Sequence, residues 1–170
     1  GLTESTSGTV TLASTINSSN DAISFGAVTL GTNTTIDTNA TNTNGDITIG
    51  AVTGGNNNLT LDTTASTGSA SHTFTGDINL GSGALSVTGD VVLGANISVT
   101  ATGGIVFNDA IDADNASSND RTLTLNAGTG SAISVTGGIG GSQALAGLTV
   151  SQSNAATFLG AVDVSDSNSG

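Results

Sequence analysis

The chain has 170 residues, of which 13 are Asp or Glu and only one is Lys or Arg, so its formal net charge is −12. One cation cannot neutralise a phosphate backbone, which excludes nucleic-acid binding as a main function. The sequence contains no Cys for disulfides or thiolate metal sites, and no apolar run approaches the ~18 residues of a membrane-spanning helix, so we predict no membrane insertion.

Short strands are predicted along the whole chain from triads of the form apolar–polar–apolar. This period of two is typical of a strand with one buried face. The middle residue is usually Thr or Ser, and clusters of Gly, Asn, Asp and Ser separate the triads, as turns require. No segment has helical spacing, so the chain is predicted to be all-β. In chain order the triads begin at Val10, Ile23, Val28, Ile47, Leu59, Leu85, Ile97, Leu123, Ile133 and Leu148.

The sequence also repeats itself, with a unit of about 62 residues. In this overlay Val10 matches His72, and a partial third copy begins at Ile133. A repeat of this length in a chain of short strands indicates a repeat architecture. We therefore predict a single domain over residues 1–170, with repeats at 10–71 and 72–132 and a partial repeat at 133–170.

The predicted fold is a right-handed parallel β-helix, or β-solenoid, with about eight coils of about 20 residues each. A narrow core agrees with the dominance of Val, Ile, Leu and Ala and with only four Phe residues. The absence of Pro agrees too, because each coil must donate backbone N–H groups to the next one. The alternative is an antiparallel β-sandwich, which usually has longer strands and more aromatic residues in its core.

Two segments, Leu123–Gly130 and Ile133–Gly141, resemble the β-strand repeats of giant bacterial surface proteins such as the filamentous-haemagglutinin-type adhesins. The resemblance implies a right-handed parallel β-helix shaft that is secreted to the cell surface. It also implies a role in adhesion, in biofilm or in the structure of a surface fibre. It transfers no catalytic residue to this chain.

The densest acidic stretch contains Asp109, Asp112 and Asp114, followed by Asp120 and Arg121. Calcium prefers several oxygen ligands, so the first three aspartates are the candidate calcium site, and calcium is the one candidate cofactor. The spacing lacks the central Gly and closing Glu of a twelve-residue calcium loop. The alternative is a solvated loop between coils, in which Asp120 or a neighbour pairs with Arg121.

The single histidine, His72, has no Cys, second His or carboxylate beside it in the sequence. We predict that it is a core-facing residue of a strand, like the Val10 and Ile133 that it overlays. The aspartates of the pairs Gly45-Asp46, Gly76-Asp77 and Gly89-Asp90 each precede a strand and are predicted to be turn residues.

Three functions are compatible with these features. The favoured one is a structural shaft of an extracellular adhesin or of a surface or matrix fibre, which either belongs to a longer array or stacks end to end on other copies of itself. The second is a module that binds surface glycans or a host protein. The third is a polysaccharide-degrading β-helix enzyme, but the chain has no Trp or Tyr to hold sugars, so we predict no enzymatic activity. The high negative charge should oppose lateral clumping, so that bundling depends on divalent cations.

Overall fold

The computed structural model describes residues 1–4, 8–39, 44–64, 69–114 and 121–165, and in these ranges the protein consists of twenty short strands without a helix. All ten predicted triads lie in strands. The strands in chain order are β1 (Leu2–Thr3), β2 (Thr9–Leu12), β3 (Ile16–Asn17), β4 (Ile23–Phe25), β5 (Ala27–Leu30), β6 (Thr34–Asp37), β7 (Ile47–Ile49), β8 (Val52–Thr53), β9 (Leu59–Asp62), β10 (Ser71–Phe74), β11 (Ile78–Gly81), β12 (Leu85–Thr88), β13 (Asp90–Leu93), β14 (Ile97–Ala101), β15 (Ile105–Phe107), β16 (Ile111–Ala113), β17 (Thr122–Asn126), β18 (Ala132–Val135), β19 (Gly147–Gln152) and β20 (Ala155–Phe158).

The strands form three sheets that the chain visits in turn. Sheet A has the order β1-β4-β7-β10-β13-β16, sheet B the order β2-β5-β8-β11-β14-β17-β19, and sheet C the order β3-β6-β9-β12-β15-β18-β20. Each strand pairs in parallel with the strand of the same sheet one coil later, as Ile23 does with Ile47. This arrangement is a β-solenoid, so the predicted parallel β-helix is confirmed and the antiparallel sandwich does not form.

The coils are longer and fewer than predicted, with about 24 residues each and about six turns in place of eight coils of 20. Their length also varies. His72 pairs with Val91, 19 residues later, whereas the bridge from Ile111 to Ile139 spans 28 residues. Apart from register shifts after Asn79 in β11 and after Leu125 in β17, the paired strands stay in register, so most of the variation lies in the corners between sheets. Corner length has no periodic signal in the sequence, which is why the coil length was underestimated.

The 62-residue overlay does not relate equivalent places in the solenoid. Val10 lies in β2 of sheet B, whereas its partner His72 lies in β10 of sheet A, eight strands later. Three complete coils would require nine strands. The sequence unit therefore spans two and two-thirds coils, and it matches strands that face different sides of the molecule.

The inward-facing side chains form one continuous apolar core along the axis, from Leu12 to Leu145. Within a strand the buried and outward positions alternate, as in β9, where Leu59 and Leu61 are buried and Thr60 is not. Two of the four Phe residues, Phe74 and Phe107, stack in the interior with ring centroids 6.4 Å apart. Each fully buried Leu, Ile, Val or Phe contributes about 1.5–3 kcal/mol through removal of its apolar surface from water.

Candidate functional site

The candidate calcium ligands lie on and around β16, but each carboxylate already has a separate partner. Asp112 points outward between the buried Ile111 and Ala113. Its Oδ1 accepts hydrogen bonds from the backbone N–H of Ser142 at 2.8 Å and of Gln143 at 3.1 Å, both on the next coil. The carboxylate of Asp112 therefore serves to hold two coils together.

Asp114 forms an ion pair with Arg121. The guanidinium donates from Nε to Oδ1 at 3.0 Å and from one terminal nitrogen to Oδ2 at 2.7 Å, a two-pronged contact. This hydrogen bond raises the pKa of Arg121 above its usual value. The pair joins the two ends of the segment 115–120, which lies outside the described residues together with Asp120. Arg121 thus pairs with an aspartate six residues before Asp120, whereas the predicted solvated loop itself lies outside the described residues.

Asp109 lies in the connection from β15 to β16, and its Oδ2 accepts the N–H of Gly89 at 2.8 Å. The three predicted ligands are thus bonded to three different parts of the protein. The described ranges contain no group of three or more His, Cys, Asp or Glu residues placed to hold a metal ion. The calcium site stays a prediction, and the geometry around these aspartates supplies a structural role for each of them.

His72 is fully buried on the inner face of β10, as predicted, between Ile47 of β7 and Val91 of β13. Its Nε2 lies 3.0 Å from the carbonyl oxygen of Thr88 and 3.3 Å from the hydroxyl of Thr63. Because a carbonyl only accepts, Nε2 carries the hydrogen and donates to Thr88. Nδ1 is then a bare acceptor, and it has no hydrogen-bond partner.

Burial lowers the pKa of His72 below 6.5, since the charged imidazolium is poorly solvated in the core. The hydrogen bond to Thr88 and the negative charges of Asp62, Asp109 and Asp46 act in the opposite direction without outweighing burial. The imidazole is therefore neutral near pH 7. Among the described residues no carboxylate hydrogen-bonds to the imidazole, and its hydrogen-bonding contacts are the Thr88 carbonyl and the Thr63 hydroxyl, so these residues do not form a histidine–carboxylate pair.

Two open cavities follow the corner at which the chain passes from sheet C to sheet A. One, of about 360 Å³, is lined by Asn44, Asp46 and Ser69 among others. The other, of about 230 Å³, adjoins it and includes Asp90 and Asp109. The described lining residues are small or polar, without an aromatic ring or a cation. Such cavities offer amide, hydroxyl and carboxylate groups that can hydrogen-bond a polar ligand.

The turn aspartates have a role that the sequence did not reveal. Their side chains accept backbone N–H groups of the following coil: Asp46 from Ser71 at 2.9 Å and Asp77 from Ser98 at 2.8 Å. Asparagines do the same at other corners, for instance Asn96 from Thr122 at 3.0 Å. These side chains act as brackets between successive coils. The only sequence signal for these contacts between coils is the frequent occurrence of Asp and Asn directly before strands.

The chain matches no protein-family model, no curated protein and no solved structure. The described residues also include no helix of the length and apolarity that crossing a membrane requires. The function must therefore be inferred from the solenoid itself and from its surface.

Proposed function

We propose that this chain is a rigid shaft segment of an extracellular adhesin or surface fibre. The observation that supports this proposal most directly is that both the apolar and the polar side chains hold the coils of the solenoid together. The inward residues form one continuous core, and the corner aspartates and asparagines bond one coil to the next. In a structural shaft we expect the polar groups to connect successive coils, and the corner Asp and Asn side chains of this protein do so.

End-to-end association extends the same proposal. The last described coil exposes apolar side chains that inner coils cover: Leu159 is 68% exposed, and Val150, Val162 and Val164 are partly exposed as well. At the other end, Leu2 is 47% exposed. All strands within a sheet run in the same direction, so the edge of β19 and β20 can continue in parallel with a further coil of a longer array or with the opposite end of a second copy.

Electron microscopy of the purified chain over a range of concentrations tests both parts. We expect rods that lengthen with concentration. Val150→Asp, which places a charge on the open inner face of β19, should stop the lengthening, whereas Thr149→Asp on the adjacent outward position, in register with Thr124, should not. Single short rods in all three proteins would refute end-to-end stacking. Particles that are not rods would refute the shaft.

A second candidate, a glycan-binding module, is favoured by the two adjoining cavities with their Asn, Ser and Asp side chains. A glycan array probed with the folded chain, with and without millimolar calcium, tests this function and the predicted calcium site together. Binding that Ser69→Trp blocks, since the indole would fill the shared part of the two cavities, would support it. An array without signal would leave the shaft as the function.

A further inference from the structure

The charged residues within the described ranges are confined to one side of the solenoid. Each of them lies between the last residue of a sheet C strand and the residue before the next sheet B strand, a stretch that includes sheet A. We call this the acidic side. Its charged residues among those described are Glu4, Asp21, Asp37, Asp46, Asp62, Asp77, Asp90, Asp109, Asp112, Asp114, Arg121 and Asp163.

The opposite side carries no charge within the described residues. It consists of the sheet B strands, the corners from sheet B to sheet C, and the sheet C strands up to their next-to-last residue, and we call it the neutral side. Its main surface is the outer face of sheet B. There, uncharged hydroxyl and amide side chains form a column in which each residue pairs in register with the next. The column consists of Thr11, Thr29, Thr53, Asn79, Thr100 and Asn126.

We propose that the neutral side is an interaction surface on which a second copy of this chain lies side by side, with sheet B facing sheet B. In a protein with a net charge of −12, contact between two acidic sides is opposed by repulsion. Screening over a Debye length of about 8 Å at physiological salt does not remove this repulsion at contact distance. When the neutral sides meet, most carboxylates lie away from the contact, whereas Asp77, which accepts the N–H of Ser98 in β14, lies at the edge of sheet B.

The chemistry of the column suits such a contact. Threonine methyl groups pack, hydroxyl groups donate and accept, and asparagine amides do both, so two such ladders can satisfy each other without a buried charge. A surface that contacts its own copy forms a two-fold symmetric pair. This pairing does not depend on end-to-end stacking, because it uses a lateral face.

The area of the face limits the strength of the pair. Seven strands at ~4.8 Å spacing, each about four residues wide, give roughly 450 Å² per partner. Stable complexes usually bury about 800 Å² per partner, so an isolated pair is weak and reversible. Many such contacts add up where several shafts are held close together, as on a surface. The pairing also requires no divalent cation, in contrast to the expectation from net charge alone.

Sedimentation velocity in the presence of EDTA, from about 10 μM to about 1 mM protein, tests the proposal at concentrations where weak pairs form. Every protein in this experiment, the otherwise unmodified one included, also carries Val150→Asp, which blocks end-to-end stacking, so that only lateral pairing raises the mass. We expect the weight-average mass to rise from 16.2 kDa towards twice that value. Thr53→Asp, in the middle of the column, should keep the chain monomeric. Thr48→Asp adds the same charge to the outer face of sheet A and should behave as the unmodified protein does. Circular dichroism verifies that both variants are folded.

Cross-linking gives a second readout that does not require a destabilising charge. Because the chain has no Cys, a single introduced thiol reports on its own copy alone. Near the two-fold axis, Thr53→Cys should form disulfide dimers under mild oxidation at least tenfold faster than Thr48→Cys. A monomer at 1 mM with equal rates for the two thiols would overturn the proposal. So would a monomer that binds a neutral polysaccharide such as dextran through Thr53, since the neutral side would then be a glycan surface.

Discussion

The buried imidazole of His72 occupies a position that the two neighbouring coils fill with Ile47 and Val91. One ring nitrogen is bonded to Thr88, and the other is enclosed without a partner. An unpartnered acceptor is tolerated here because the ring is neutral. A proton on Nδ1 would create a buried donor without an acceptor and a buried charge that the nearby aspartates offset only in part.

Acid should therefore weaken the fold through His72. Its pKa in the folded protein lies below the unfolded value of about 6.5, so the unfolded chain binds the proton more tightly. This contribution to stability is complete above pH 6.5 and is lost as the pH falls through 6.5 towards the folded pKa. We expect the urea midpoint of unfolding to decrease between pH 7.5 and 5.5.

His72→Val is the matched control, because valine occupies the same position in β13. Its urea midpoint should be nearly constant over this interval, because the substitution removes the one histidine of the sequence. An equal decrease in both proteins would show that the pH dependence arises elsewhere.

At the scale of strands and corners, the side-chain brackets explain how coils of unequal length stay in register. Asp77 precedes β11 and accepts the N–H of Ser98, which belongs to β14 on the next coil. The bond fixes the height at which the following strand begins. The same contact recurs from Asp46 to Ser71 and from Asn96 to Thr122.

Removal of one bracket should cost about 0.5–1.5 kcal/mol of unfolding free energy, the usual net value of a hydrogen bond. We expect this loss for Asp77→Ala in urea unfolding. Asp77→Asn also removes the charge but keeps the accepting oxygen, so it should stay within about 0.5 kcal/mol of the original protein. If the two variants lose the same stability, the effect comes from the charge and the bracket contributes nothing.

The strands could be predicted from the sequence because alternation is a local pattern, and each triad, such as Leu59-Thr60-Leu61, carries it in full. The sheet to which a given triad belongs could not be predicted from the sequence. All three sheets demand the same pattern, so Val10 of sheet B and His72 of sheet A look equivalent in an alignment. The lengths of the corners leave no periodic trace either.

The candidate calcium site shows a similar limit. Asp109, Asp112 and Asp114 are close in sequence, and clustered carboxylates suggest a cation. In the solenoid the backbone of the neighbouring coils supplies competing donors, from Gly89 to Asp109 and from Ser142 to Asp112. Those donors are 20 to 30 residues away in the sequence, so no local motif predicts these hydrogen bonds. The pairing of Asp114 with Arg121 was within reach because the two are seven residues apart.

For the molecule as a whole, contacts connect each coil mainly to its two neighbours. In such a one-dimensional arrangement, stability is lowest where a coil has one neighbour and highest where it has two. The exposure of the outermost strands agrees: in β19 and β20 the side chains are mostly exposed, whereas β11 to β15 alternate between buried and outward positions.

Native-state hydrogen exchange should reproduce this gradient. We expect the slowest amide exchange in β11 to β15 and the fastest in β1 to β3, β19 and β20. Mass spectrometry of peptides from quenched samples at pH 7 measures it, with rates corrected for each peptide's intrinsic exchange. Uniform protection along the chain would indicate that the solenoid opens as a single unit and would contradict the gradient.

The step from Ile111 to Ile139 takes 28 residues, yet the step from Val91 to Ile111 takes 20, and both return the chain to the same sheet in parallel alignment. Within the longer step, the side chains of Asp114 and Arg121 form a two-pronged ion pair that joins the two residues flanking the segment 115–120. A foreign peptide inserted between these two residues would have its two ends held close together by this ion pair. This protein is thereby suited to carry grafted epitopes along a stiff support.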